Sequence, residues 1–221
     1  MFTTQNRNLI ISYLTLRRLI GILGTSLPII VVVGGFIQNG FVLQGSISGY
    51  YYTNMRDVFV GILCGVALFL ISYRGYERID NIVSTLSGIF AFGIILFPTS
   101  TYSGCAVPVG IFLIDDTISE YIHLTFGTLF FIALACNSLF LFTKRAPGIF
   151  TREKRKRNII YRACGIIMLL AILCISIYTL FLKDTILCKA YPVLICETIA
   201  LFAFGISWLV KGNTLFKDKK L

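Results

Sequence analysis

The sequence predicts an all-α membrane protein built as a bundle of six transmembrane helices. The chain of 221 residues is 57% hydrophobic and only 14% charged, with a mean hydropathy of +0.84. Soluble domains carry about 25% charged residues. Charge-free apolar runs, such as VFVGILCGVALFLISY after Asp57, recur along the chain. Runs of this kind are typical of membrane-spanning helices, so we expect an integral membrane protein.

Six apolar segments are long enough to cross a hydrocarbon core of about 30 Å at about 1.5 Å per residue. The predicted spans are about 19–37, 57–74, 81–97, 119–142, 161–182 and 191–210. Pro28 lies in the middle of the first span and predicts a kink there. The domain division that follows is a cytoplasmic or interfacial segment 1–18, a membrane domain 19–211 and a basic cytoplasmic tail 212–221.

Lysine and arginine are distributed very unequally between the two sides of the predicted membrane. Seventeen of the twenty basic residues fall on one side, and only Arg56, Lys183 and Lys189 fall on the other. Because cytoplasmic loops carry the excess of basic residues, we expect both termini to lie in the cytoplasm. The expected location is the plasma or inner membrane.

Small and polar residues within the spans predict how the helices pack, since lipid supplies no hydrophobic force between helices. Asn137 and Ser138, deep in the fourth span, are expected to hydrogen-bond to a neighbouring helix. The small residues expected at close helix contacts are Gly21 with Gly24, Gly61 with Gly65, and Ser84 with Gly88.

Two of the seven cysteines, Cys105 and Cys188, lie in the predicted outer loops. An oxidising compartment permits a disulfide there. We expect these two residues to pair and to tie the 98–118 loop to the 183–190 loop. Two free thiols are the alternative.

Ionisable and hydroxyl side chains gather at the predicted outer boundary of the membrane. Glu197 lies inside the sixth span, where a carboxylate is costly unless it is paired or neutral. We expect it to pair with the counter-ion Arg56 or with the titratable His123, below a small polar pocket that opens outward. The candidate cluster is Ser46, Ser48, Tyr52, Arg56, Asp57, Glu120, His123 and Glu197.

Simpler roles are open for parts of this cluster. Asp57 and Glu120 lie near the N-terminal ends of predicted helices, where acidic residues suit the helix dipole. The three consecutive tyrosines at 50–52 are expected to form an aromatic anchor at the membrane interface.

A non-catalytic membrane protein that binds a lipid, a small ligand or a partner is the favoured class of function. A proton-coupled transporter of a small solute that uses Glu197 is the first alternative. A membrane-embedded lipid hydrolase is the second, with Ser48, His123 and Asp57 as a relay. The single histidine excludes a tri-histidine zinc site, and no HExxH, GxSxG or Walker motif occurs. We therefore expect no metal and no cofactor.

Membrane lipids are the expected partners, including anionic headgroups at the basic segment 144–162. TREKRKRN at 151–158 would suit nucleic acid in isolation, but next to a transmembrane helix it is typical of a segment that sets topology. We expect no nucleic acid. A protein partner or a second copy of the chain is left open.

Three segments carry a family resemblance: the SIS-containing loop after the first span, FPTS at 97–100, and IHLTFGTLFFIAL at 122–134. They resemble a bacterial family of six-helix membrane proteins of unknown function. That family is similar to the DRAM-like autophagy-modulator and FGF-receptor-activating membrane families. The resemblance covers about residues 15–212 and implies a six-helix bundle with a structured outer face. The matching positions are Ser46, Ser48, Phe97, Pro98 and His123.

Overall fold

A computed structural model of the chain describes residues 4–40, 42–101, 108–144, 151–183 and 185–214. The six α-helices of this part are α1 Thr4–Asn39, α2 Arg56–Ser72, α3 Arg78–Leu96, α4 Asp116–Cys136, α5 Arg152–Ile177 and α6 Pro192–Lys211. Single π-helical segments extend α4 over Asn137–Leu141 and α5 over Tyr178–Leu182. Short 3-10 helices cover Ser48–Tyr52 and Ile186–Ala190. A small antiparallel hairpin pairs β1 Pro108–Val109 with β2 Ile114–Asp115.

Five helices in the described part of the chain are long and apolar enough to cross a membrane. Their candidate spans are Tyr13–Gln38, Arg78–Leu96, Asp116–Leu141, Arg152–Leu182 and Pro192–Lys211. The remaining helix, α2, has 17 residues and is about 26 Å long at about 1.5 Å per residue. The all-α class and several helices long and apolar enough to cross a membrane are therefore established, whereas the sixth span and the orientation of the ends stay predictions.

Two helices, α1 and α5, begin more than two turns earlier than the apolar runs that predict them. The first runs unbroken from Thr4 through Pro28, a total of 36 residues. The fifth begins at Arg152, so the basic stretch forms its first turns. Thr151 caps that helix by accepting the Lys154 amide at 3.1 Å, and Glu153 in the first turn suits the helix dipole. Polar capping residues, rather than hydrophobicity, set this start.

Each helix packs against the next one along the chain, and α6 packs against α1, which closes the bundle. The closure depends on small residues, as predicted for Gly21 and Gly24. A Cβ atom at Gly205 of α6 would lie 2.7 Å from the Gly21 carbonyl, so the two backbones approach closely. Gly88 likewise lies against the backbone of α2. The predicted contact at Gly61 is wrong, because that position faces open space.

Polar contacts between helices confirm the prediction for Asn137 and Ser138. The Asn137 side-chain oxygen accepts the Ser84 hydroxyl of α3 at 3.3 Å. Ser138 donates to the Ser207 hydroxyl of α6 at 2.9 Å. Both residues are fully buried, so these bonds satisfy groups that would otherwise be costly within an apolar bundle.

The helix ends define two ends of the bundle. The basic end contains Arg17 of α1, the start of α5 and the end of α6 at Lys211. The Glu197 end contains the loop before α2, the hairpin and the start of α6. Neither name refers to a side of the membrane.

Candidate functional site

Glu197 fixes the loop before α2 to the start of α6. Its Oε2 accepts a hydrogen bond from the backbone N–H of Ile47 at 2.5 Å, and the Ser48 amide also interacts with the carboxylate. One turn earlier in α6, the Leu194 amide donates to the Gly45 carbonyl at 3.1 Å. The loop and the helix therefore satisfy each other's backbone groups, since the first amides of a helix have no partner within it.

His123 of α4 connects α3 to the same loop. Its Nδ1 lies 2.8 Å from the Phe97 carbonyl oxygen and 3.2 Å from that of Ile94. Carbonyls only accept, so Nδ1 carries the proton and donates to them. In the neutral ring Nε2 then accepts, and its partner at 2.9 Å is the Ser48 hydroxyl. Both polar ends of the buried imidazole are engaged.

We call Ser48, His123 and Glu197, with the Ile47 amide, the loop latch. Ser48 and His123 are 9% and 6% exposed. Ser46 supports the latch from within the loop, because its hydroxyl accepts the Gly49 amide at 2.9 Å. The polar groups of the loop latch are therefore engaged in internal hydrogen bonds, and the polar pocket expected above them stays a prediction.

The three tyrosines at 50–52 do not share one face, and their role as an interfacial anchor stays a prediction. Successive residues of a 3-10 helix diverge by about 120°, so the side chains take different directions. Tyr50 is 1% exposed and packs on Gly35 of α1, where burial raises the pKa of its phenol. The Tyr52 hydroxyl donates to the Thr99 carbonyl at 2.5 Å, and burial raises the pKa of Tyr52 to about 12.

Arg56 is not the counter-ion of Glu197, which corrects the sequence-based expectation. Its side chain is exposed, its Nε donates to the Tyr51 carbonyl at 2.8 Å, and its guanidinium lies 4.6 Å from the centroid of the Tyr51 ring. Asp57 is also exposed. Both begin α2 on its outer face, while the preceding Met55 takes the buried position. Glu197 uses backbone amides in place of a side-chain cation.

The predicted relay of Ser48, His123 and Asp57 is formed only in part. The serine and the histidine are in contact, but the Phe97 and Ile94 carbonyls occupy the position at Nδ1 where a carboxylate would be needed. Glu120, one turn before His123, is half-buried. Among the residues that the structure describes, no group of three His, Cys, Asp or Glu side chains is placed to hold a metal ion.

The predicted disulfide stays a prediction. Cys188 is exposed on the short 3-10 helix before α6. Cys105 lies outside the described residues.

An apolar groove of about 390 Å³ lies between α1 and α6, next to the loop latch. Its only polar residue is Thr198, whose hydroxyl donates to the Leu194 carbonyl at 2.7 Å. This groove was not predicted from the sequence. The lining residues are Pro28, Ile29, Val32, Val33, Leu194, Ile195, Thr198, Ile199 and Phe202.

Apolar helices long enough to cross a bilayer, joined by buried polar contacts, place the chain in the class of all-α membrane proteins. A family model described as "Protein of unknown function (DUF998)" matches residues 24–210. The match covers most of the chain, so the chain belongs to this family, in agreement with the predicted membership of an uncharacterised family. No curated protein and no solved structure matches it.

Proposed function

We propose that the chain is a six-span protein of the plasma membrane with both termini in the cytoplasm. The basic end holds Arg17, Lys144, Lys154 and Lys211, which supports its assignment to the cytoplasmic side. The sixth span would be α2, which is near the lower limit of about 17 residues for a transmembrane helix. The division into segments 1–18, 19–211 and 212–221 and the likeness to DRAM-like and FGF-receptor-activating proteins belong to the same proposal.

Within this topology, the function that we propose is non-catalytic binding of a lipid in the groove between α1 and α6. The observation that carries this proposal is the groove itself: about 390 Å³, open to the side of the bundle and almost entirely apolar. Its walls lie within the two candidate spans, where acyl chains are the surrounding medium. A lipid chain is therefore the occupant that fits both the chemistry and the location of the groove.

The loop latch supports the same proposal because it holds one wall of the groove. Leu194 lines the groove, and its amide is bonded to Gly45. Three residues later, Glu197 does not line the groove but holds Ile47 of the loop. The latch thus fixes the start of α6, and with it the width of the groove at the Glu197 end.

The experiment is photo-crosslinking with a phosphatidylcholine analogue that carries a diazirine in one acyl chain, on the purified full chain in mixed micelles. We expect cross-links to concentrate on residues 28–33 and 194–202. Ile199→Trp should fill the groove and reduce them several-fold. Leu170→Trp, on an exposed apolar position of α5, is the matched control and should not. Equal labelling of α5 and of the groove would reject the proposal.

A second candidate function, a membrane-embedded hydrolase, is favoured by one observation. Ser48 Oγ and His123 Nε2 are 2.9 Å apart, with Nε2 in the accepting form that a general base requires. In that role the Ile47 amide, which lies next to the nucleophile in the chain, would be the donor that stabilises the developing negative charge. Glu197 would therefore have to release this amide. A fluorophosphonate probe tests this: labelling of the wild type that is lost in Ser48→Ala and kept in Ser46→Ala would favour hydrolysis. Absence of labelling would leave lipid binding as the function.

The transporter alternative is less well supported. A proton carrier must exchange its proton with each side of the membrane in turn. A carboxylate that accepts a backbone amide at 2.5 Å is better suited to a fixed structural role.

A further inference from the structure

Arg17 and Lys211, two cations at the basic end, lie among aromatic rings rather than beside carboxylates. Arg17 of α1 is 7% exposed, and its guanidinium carbon lies 4.3 Å from the centroid of the Tyr13 ring. Lys211, the last residue of α6, has its Nζ 4.9 Å from the Phe142 ring centroid and 5.4 Å from that of Tyr76. Aromatic faces attract cations, but they do not accept conventional hydrogen bonds from all of the N–H groups.

The acidic residues nearest to these cations are already engaged. Asp80 accepts Lys144 Nζ at 2.9 Å, and Glu77 accepts the same nitrogen at 2.7 Å. Lys211 interacts electrostatically with the cation Arg17 and with the acid Asp80. Among the described residues, Asp80 is thus shared between Lys144 and Lys211, and Arg17 forms no ion pair. A buried cation is costly unless an anion compensates its charge.

Hydrogen-bond donors without partners lie in the same place. Among the described residues, the buried polar atoms with no partner include Arg17 Nε and Trp208 Nε1, whereas the Tyr13 hydroxyl interacts with Arg17 and Tyr73. These residues are in one contiguous group: the ring of Tyr73 stacks on Tyr13 at 5.6 Å and meets Trp208 edge-on at 4.9 Å. A buried donor without an acceptor is costly. Two such donors, one of them on a buried cation, indicate a missing acceptor with negative charge.

Capping of α6 explains only part of this arrangement. Arg18 Nε donates to the Gly212 carbonyl at 2.9 Å, which satisfies the end of the helix. The corresponding contact of Arg17, from Nη1 to the Lys211 carbonyl, is 3.5 Å and therefore weak. Its other contact, from Nη2 to the Tyr73 hydroxyl, is also 3.5 Å. Arg17 thus retains donor capacity that the helix end does not use.

We propose that the basic end binds a phosphate group between Arg17 and Lys211, with Tyr13 and Trp208 as neutral donors. The planar guanidinium suits phosphate oxygens, and Lys211 supplies a second positive charge. This site differs from the apolar groove and from the exposed basic residues of α5. The phosphate can belong to the headgroup of an anionic phospholipid or to a soluble phosphate, and both present the same oxygens to these residues.

The test measures the melting temperature, Tm, of the purified full chain in neutral detergent. Phosphatidylglycerol, phosphatidylcholine, sodium phosphate, and sodium chloride at matched ionic strength are added separately. We expect phosphatidylglycerol or sodium phosphate to raise the Tm of the wild type. Arg17→Gln and Lys211→Gln should each weaken the apparent affinity about tenfold, the loss expected when a charge-assisted hydrogen bond is removed.

Arg74→Gln is the control for net charge, because Arg74 is exposed and bonded to the carbonyls of Ile71 and Tyr73. It should keep the response of the wild type. If Arg17→Gln does not fold, the test uses Lys211→Gln and Tyr13→Phe, and both should reduce the rise in Tm that the ligand causes. A response to sodium phosphate identifies a soluble ligand, and a response to phosphatidylglycerol alone identifies a headgroup. No response in the wild type, or the same loss in Arg74→Gln, overturns the proposal.

Discussion

The Glu197 carboxylate of α6 accepts the backbone amide of Ile47, a residue 150 positions earlier in the chain, at 2.5 Å. This bond joins the last helix to the first long loop. It also explains why a carboxylate is tolerated within a predicted transmembrane span, since a backbone donor satisfies it there. The consequences of this and of the neighbouring contacts are testable.

Removal of the Glu197 carboxylate should destabilise the fold. Glu197→Ala leaves the buried Ile47 amide unpaired, so we expect a loss of about 1–3 kcal/mol in the free energy of unfolding. Glu197→Gln should cost less, because its amide oxygen can still accept. Unfolding in mixed micelles, followed by circular dichroism, measures both. Glu120→Gln, on a half-buried side chain, is the control and should change stability by less than about 0.5 kcal/mol.

Ser48→Ala should leave His123 Nε2 without its hydrogen-bond partner. The imidazole is 6% exposed, so we expect a loss of about 1–3 kcal/mol in the free energy of unfolding. Ser72→Ala is a matched control on an exposed serine at the end of α2. Equal stability of the two variants would mean that the serine and the histidine do not stabilise each other.

Arg56→Gln should have little effect, within about 0.5 kcal/mol, because Arg56 is exposed. A counter-ion of a buried carboxylate would behave differently, since breaking a buried ion pair costs about 3–5 kcal/mol. The same unfolding assay distinguishes the two cases. A loss of about 3–5 kcal/mol in the free energy of unfolding would instead indicate that Arg56 pairs with Glu197.

The two acids that bind Lys144 should differ in importance. The Asp80 side chain is 5% exposed and also accepts the Tyr76 and Glu77 amides at 2.8 and 3.1 Å, whereas that of Glu77 is 62% exposed. Asp80→Ala should therefore cost about 3 kcal/mol or more, and Glu77→Ala about 1 kcal/mol or less. Thermal unfolding of the two variants side by side gives the ranking. The reverse order would contradict the structure.

Tyr52 should make the stability of the fold depend on pH in the alkaline range. Its pKa is raised from 10.0 to about 12 because burial disfavours the phenolate. The folded state therefore holds this proton more tightly than the unfolded state. The contribution to stability is complete below pH 10 and is lost as the pH rises to about 12.

Comparison of wild type with Tyr52→Phe isolates this contribution. The variant loses the bond to the Thr99 carbonyl, so the wild type should be about 1 kcal/mol more stable near neutral pH. This advantage should shrink between pH 10 and about 12. Tyr51→Phe serves as the control. An advantage that stays constant over this range would contradict the assignment.

Local pattern determines much of the fold. The apolar runs predict the helices, because a segment in lipid must satisfy its own backbone groups. The polar residues Asn137 and Ser138 within an apolar run predict bonds between helices, and these bonds are present. The early start of α5 was also readable, from Thr151 and Glu153 as capping residues.

The partners within the candidate site could not be read in the same way. The sequence shows side chains but not the directions of backbone amides, so the Ile47 N–H was not visible as the partner of Glu197. Arg56 was expected to pair with Glu197, whereas the start of α2 places both Arg56 and Asp57 on the exposed face of that helix. Arg17 and Tyr13, four positions apart on one helix, were a usable signal for the basic end, but Trp208 and Lys211 come from α6.

The sequence by itself determined the membrane class, the approximate helices and the unequal distribution of basic residues, because hydrophobicity and charge act locally along the chain. Only the tertiary structure decided which groups meet. His123 touches Ser48 and two carbonyls of α3, and Arg17 lies between Tyr13 and the end of α6. These contacts join distant segments, and their geometry follows from how the helices pack against one another.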